Sequence, residues 1–212
     1  MSGINLNKKI GINLSKGSSI KLEKEGRALQ KVCVGVNWGR INKKSFFGLI
    51  NDSTQVDLDA SVAFFGYDKK LVDIVYYKKL ESSDYSVRHS GDDRVGDATA
   101  DDYDNEVITV DLAMVNRNVK YVAFFLNSYL KQDFATIPYS KIRVFEGTPR
   151  DVLSVFATFN LSSEVAFRGK ISMVMGAFVR DDNGQWQFKA IGEATEGSDI
   201  QSTVDIISEK YL

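Results

Sequence analysis

Hydrophobic and polar positions alternate along most of this chain with the two-residue period of a β-strand. Lys31–Trp38 (KVCVGVNW) places Val32, Val34 and Val36 on one face and Cys33, Gly35 and Asn37 on the other. Similar short runs predict strands over Ile10–Leu14, Ser19–Leu22, Leu58–Phe65, Leu71–Leu80, Val107–Leu112, Lys141–Phe145, Val152–Asn160, Ile171–Val179 and Gln185–Ile191. Tyr121–Leu126 (YVAFFL) is apolar without a break, the mark of a strand buried on both faces. Turn residues punctuate the runs: Lys16-Gly17-Ser18, Gly66-Tyr67-Asp68 and Asp182-Asn183-Gly184. The last contains Asn-Gly, a hairpin signal because both residues tolerate positive φ. The spacing changes only at the end. In Asp199–Leu212, Ile200, Val204, Ile207 and Tyr211 recur at helical intervals and form one apolar stripe. About eleven strands and one terminal helix predict an all-β fold, a two-sheet β-sandwich with a short C-terminal helix.

Composition narrows the picture. Hydrophobic residues make up 43% of the 212, enough for a substantial core, and only Pro138 and Pro149 interrupt the chain. With no Pro-rich or Gly/Ser-rich linker, we expect one domain over residues 1–212. The net charge of −1 gives no field drawing the protein to nucleic acid, and the Lys-Lys pairs are scattered rather than clustered with aromatics. No apolar stretch has the length of a signal peptide or a membrane span, so direct membrane insertion is not expected. Cys33 is the sole cysteine, which rules out an intrachain disulfide. Together these features predict a cytoplasmic protein.

The chemistry concentrates in one loop. Gly91–Glu106 (GDDRVGDATADDYDNE) carries Asp92, Asp93, Asp97, Asp101, Asp102, Asp104 and Glu106 against a single Arg94. Carboxylates this crowded repel one another, so the loop is either well solvated or gathered by a hard cation. Calcium accepts six to eight oxygen ligands in irregular geometry; magnesium demands a stricter octahedron. No register in the loop matches an EF-hand. Asp57 and Asp59 in VDLDAS lie two apart, on one face of a predicted strand, and offer a second wall to the same ion. A solvated strand end is the plain alternative.

Catalytic signals are thin. His89 is the only histidine, and nothing in the sequence places Ser86, Ser90 or Cys33 beside it as a nucleophile. There is no nucleophile elbow, P-loop or dinucleotide fingerprint. One histidine and one cysteine are too few for a zinc site. A protein that is not an enzyme is expected.

At the level of motifs, INLSKGSSIKL (12–22), VGVNWG (34–39), VDLDAS (56–61), DIVYYKKL (73–80), SVRHSGDDRVGD (86–97), DNEVITVDL (104–112) and GQWQFKAIGEA (184–194) resemble, in order, the TerD family. These are the tellurium-resistance and general-stress proteins of bacteria. The resemblance implies a compact β-sandwich with calcium, one or two ions, held on acidic loops. It also implies resistance to tellurite, phages or colicins through non-catalytic contact with other stress-response proteins, including membrane-associated complexes. Residue by residue, Asp57 and Asp59 match the family's DLD, and Asp92 matches the first Asp of its GDNRTG run. Asp93 stands where Asn is usual and Asp97 where Glu often sits, while Asp104 and Glu106 match the closing acidic residues. Asp101 and Asp102 fall in a short insertion. Three departures reduce the negative charge: Gly39 replaces an aspartate, Lys78-Lys79 replaces a pair of amides, and Lys170 stands in an acidic stretch. They raise the alternative of a metal-independent scaffold in which ammonium groups satisfy the carboxylates.

Overall fold

A computed structural model describes residues 12–13, 17–24, 27–44, 51–99, 101, 103–160 and 165–212. In chain order its strands are β1 (Ile12–Asn13), β2 (Ser19–Lys21), β3 (Glu23–Lys24), β4 (Arg27–Ala28), β5 (Lys31–Trp38), β6 (Ile41–Lys44), β7 (Asn51–Thr54) and β8 (Leu58–Gly66). The second half adds β9 (Leu71–Val75), β10 (Val87–His89), β11 (Glu106–Asp111), β12 (Val119–Ser128), β13 (Ser140–Thr148), β14 (Asp151–Asn160), β15 (Ser172–Arg180) and β16 (Trp186–Thr195). The α-helix α1 (Ile200–Lys210) follows. One six-stranded sheet runs β1-β14-β13-β5-β11-β10, the other β2-β16-β15-β12-β8-β9. Pairing is antiparallel except between β1 and β14. This is the predicted two-sheet sandwich.

The alternation in β5 does what its period requires. Val32, Val34, Val36 and Trp38 enter the core between the sheets, against Leu58, Ala60, Val62 and Phe64 of β8. Cys33 points the other way, fully buried with Val107 and Phe145. Burial pushes the Cys33 thiol up from its ordinary pKa, so it behaves as a small apolar residue.

The unbroken apolar run in β12 also has its cause. Val122, Phe124 and Leu126 face the inter-sheet core, while Ala123 and Phe125 face the opposite side with Val204 and Ile207 of α1. The helix therefore covers the outer face of the second sheet with the stripe read from its spacing. Its start is fixed by a capping box, in which Asp199 accepts from Ser202 N at 2.8 Å and the Ser202 hydroxyl reaches back to Asp199 N.

Some elements depart from the sequence reading. The strand expected to reach Leu80 stops at Val75, because Tyr76 and Lys79 exchange backbone hydrogen bonds in a tight turn. The β6–β7 pair and the three-residue β10 carried no apolar alternation to announce them. Of the strand expected over Ile10–Leu14, only Ile12–Asn13 lies within the described residues. Lys8-Lys9 also lies outside them.

Candidate metal centre

The start of β8 and the 91–106 loop meet at one end of the sandwich. Val56 N donates to Val95 O across the junction, and Trp38 Nε1 of β5 steadies it by donating to Val56 O at 2.9 Å. Carboxylate oxygens of Asp57, Asp59 and Asp92 there lie within 4.8 Å of one another. Asp57 and Asp59 are 7% and 4% exposed. Oδ1 of Asp57 and Oδ1 of Asp92 are buried and have no hydrogen-bond partner.

This crowding is costly while the carboxylates are ionised. Burial first, then Asp92 and Glu106, push the Asp57 pKa up to about 6. Burial first, then Asp57 and Glu106, push Asp59 up to about 7. One cation answers them locally: Arg94 Nε donates to Asp92 Oδ2 at 2.9 Å from a largely exposed side chain. The lysines of the substituted positions are engaged elsewhere. Lys79 pairs with Asp73, Lys78 lies over the Tyr77 ring, and Lys170 pairs with Glu196.

Glu106 forms the floor beneath the cluster. It is 0% exposed; Oε2 accepts from Ala60 N at 2.8 Å and Oε1 from Asp93 N at 3.2 Å. His89 Nε2 stands 3.1 Å from Ala60 O and 3.3 Å from Glu106 Oε2, and its Nδ1 accepts from Gly91 N at 3.1 Å. That last bond assigns the neutral ring with its proton on Nε2. Burial disfavours a charged His89, yet Glu106, the Ala60 carbonyl and Asp59 outweigh it and hold its pKa above the ordinary value. Charging the ring would therefore break the Gly91 contact. Burial likewise raises Glu106, against the opposing pull of His89. Both His89 nitrogens are spent on this support, and none of Ser86, Ser90 or Cys33 is among its hydrogen-bond partners.

The other acidic positions do different work. Asp93 Oδ1 accepts from Val95 N and Gly96 N, folding the loop back on itself as an Asx turn. Asp97 accepts from Asn105 at 3.1 Å and from the Tyr139 hydroxyl at 3.3 Å, and burial raises its pKa. Asp101 is exposed and accepts from Tyr103 N. Asp102 lies outside the described residues. Asp104 turns away to a buried pair with Arg143, whose Nε donates at 2.8 Å. Burial raises Asp104 and Arg143 opposes it.

Two glycines make room for this loop. A Cβ on Gly35 would sit 2.0 Å from Asp104 Oδ2. Gly35→Ala is therefore expected to lose about 1–3 kcal/mol, as overpacking does, read as a lower urea midpoint at unchanged m-value. An unchanged midpoint would mean that Asp104 is not seated in that slot. At Gly39 a Cβ would meet the Tyr139 ring at 2.4 Å. The residue whose hydroxyl reaches Asp97 thus fills the space that any side chain at 39 would need. Sequence reading passed over Tyr139, Asn105 and Arg143, and also Asn37, whose Nδ2 donates to Asp97 Oδ2 at 3.5 Å. Arg94 alone carried a signal, as the one cation in the loop.

Comparison with known proteins places the chain in a family. The family model described as TerD domain matches residues 10–205. The chain is 32% identical over 199 residues to the tellurium resistance protein TerZ of Serratia marcescens, covering 93% of this chain and 97% of that one. It is 31% identical over 210 residues to the stress response protein SCP2 of Bacillus subtilis (strain 168), covering 94% and 98%. A crystal structure of a homologue of telluride resistance protein (TerD) from Streptomyces coelicolor A3(2) superposes with a TM-score of 0.63 at 16% identity, over 86% of this chain and 97% of that one, and shows the shared fold. The chain belongs to the TerD family of tellurium-resistance and general stress-response proteins.

Proposed function

We propose that the chain is a calcium-binding stress-response module of the tellurite, phage and colicin resistance type, acting through protein partners rather than by catalysis. The observation that carries this reading is the pair of buried, unpartnered carboxylate oxygens on Asp57 and Asp92, with Asp59 at the same spot. A buried anionic oxygen without a donor is expensive, and a hard cation relieves several at once. The donor set consists of oxygens only, which suits calcium. Asp57, Asp59 and Asp92 would hold the ion, and Glu106 and His89 would set the floor on which they stand. The ion would supply positive charge that locks the loop to the start of β8, ordering a surface for contact. In this reading the partners are other stress-response proteins, including membrane-associated complexes, in the cytoplasm. No helix among the described residues is long and apolar enough to cross a membrane.

A second reading has its own observation. Arg94 already neutralises Asp92, so the site can persist as a metal-independent scaffold. Solvent screens an exposed pair of this kind, so it is too weak to keep a divalent ion out. Calorimetric titration of metal-free protein with calcium decides between them. The calcium reading expects saturable heat in wild type and none in Asp57→Asn or Asp92→Asn. No heat from wild type at millimolar calcium, with the fold intact by circular dichroism, establishes the scaffold.

A further inference from the structure

A second polar constellation lies away from the acidic loop. Arg180, at the end of β15, is 9% exposed, an unusual burial for a guanidinium. Its plane stacks on Trp186 with the Cζ 4.4 Å from the ring centroid. Nη2 donates to Val115 O at 3.0 Å and Asn116 O at 3.4 Å, and Nη1 to Arg117 O at 3.5 Å. The Nε–H is buried and has no partner. Carbonyl dipoles share the charge without cancelling it, and no carboxylate pairs with Arg180 among the described residues. Burial first presses the Arg180 pKa down, Tyr67 pulls against it, and the neighbouring Arg117 guanidinium adds to the fall.

The setting is a cleft of about 330 Å³ beside these groups. Its walls are tied together by the backbone: Leu22 N donates to Trp186 O, Leu29 N to Leu22 O, and Leu112 N to Gln30 O. Trp186 Nε1 adds a bond to Leu112 O at 3.2 Å. Leu22, Leu29 and Leu112 give apolar walls. Arg117 and Arg180 are the charged residues lining the cleft, and both are positive. Two like charges beside one cleft repel, and the partner that turns repulsion into attraction is an anion between them.

We propose that this cleft binds a small organic oxyanion. Its phosphate or carboxylate oxygens pair with the guanidinium groups of Arg117 and Arg180 that line it, and its carbon skeleton lies against the leucine walls. Guanidinium groups suit both headgroups, since their planar fork matches paired oxygens. The cleft is built from β15, β16 and the 112–117 loop, and it is independent of the proposed calcium site.

The test is calorimetric titration of the full chain with inorganic phosphate, phenyl phosphate and benzoate, at ionic strength held constant with chloride. Saturable binding of at least one probe is expected, undiminished by chelator. Arg117→Gln, at an exposed position, should weaken it about tenfold or more, the worth of one charge-assisted hydrogen bond. Arg180→Lys should weaken it further; if that variant fails to fold, Arg117→Gln alone decides. Binding of both phosphates and not benzoate assigns a phosphate ligand, and binding of benzoate assigns a carboxylate. Binding of phenyl phosphate without inorganic phosphate shows that the apolar walls contribute. Wild type that binds none of the three overturns the proposal, as does binding that Arg117→Gln leaves unchanged.

Discussion

Glu106→Ala is expected to lower the unfolding free energy by about 3–5 kcal/mol, the usual penalty for breaking a buried charged network from one side. The loss has identifiable parts. Ala60 N and Asp93 N would each lose their acceptor, and His89 would face a void where a carboxylate now stands. The loop would also lose one of its ties to β8, leaving the Val56–Val95 bond to hold Asp57 near Asp92. Urea denaturation measures the effect directly. Glu106→Gln keeps the shape and one acceptor oxygen, and it should cost clearly less. If the two variants are equally stable, the buried carboxylate does not organise this end of the sandwich.

The second large effect is the response to calcium and its dependence on pH. If the proposed site binds it, calcium at a hundredfold excess over its dissociation constant would add about 2.7 kcal/mol to stability. For a chain of this size each kcal/mol moves the melting midpoint by roughly 2–4 °C, so chelator should lower it by roughly 5–11 °C. The pH dependence follows from the direction of the shifts. Asp57 and Asp59 stand at about 6 and about 7, against 3.8 for an ordinary aspartate. Between these values the folded chain binds more protons than the unfolded one, so stability falls as pH rises. His89, Glu106, Asp97 and Asp104 are also raised and act with the same sign. Asp73 and Asp84 are lowered, so the stability they contribute is lost only at pH below the ordinary aspartate value. The metal-free protein should thus become more stable from pH 8 down to pH 5. The calcium increment should shrink over the same span, because protons compete for the same oxygens. Melting curves in calcium and in chelator that stay parallel across this range would remove Asp57 and Asp59 from the site.

How much of this was legible in the sequence differs by kind of interaction. Local periodicity was enough for β5, whose valines face the core as their alternation requires, and for α1, whose stripe meets Phe125 and Ala123. The i, i+2 rule was enough to put Asp57 and Asp59 on one face. The division of labour within the acidic loop was not legible, because it depends on partners distant in sequence. Asp104 is claimed by Arg143 across the neighbouring strand and Asp97 by Tyr139, while Asp93 is spent on its own turn. Composition makes all of them look like ligands. Only the folded chain gathers Asp57, Asp59 and Asp92 within 4.8 Å of one another and gives the others partners of their own. In the same way, the sequence set His89 beside an acidic run with no nucleophile and no evident role. The hydrogen bonds to Ala60, Glu106 and Gly91 give it an architectural role.

The contact between Gly39 and Tyr139 also bears on how this sequence can change. A side chain at 39 cannot enter until the aromatic ring leaves, since the two would occupy one volume. Removing the ring first discards the hydroxyl donor to Asp97, a phenol that burial and the nearby carboxylates push up to about 12 and so keep protonated. Either single step away from the present pair is disfavoured, and only a double exchange would admit a carboxylate there. The Gly39–Tyr139 pair is thereby locked against stepwise replacement by a two-step barrier.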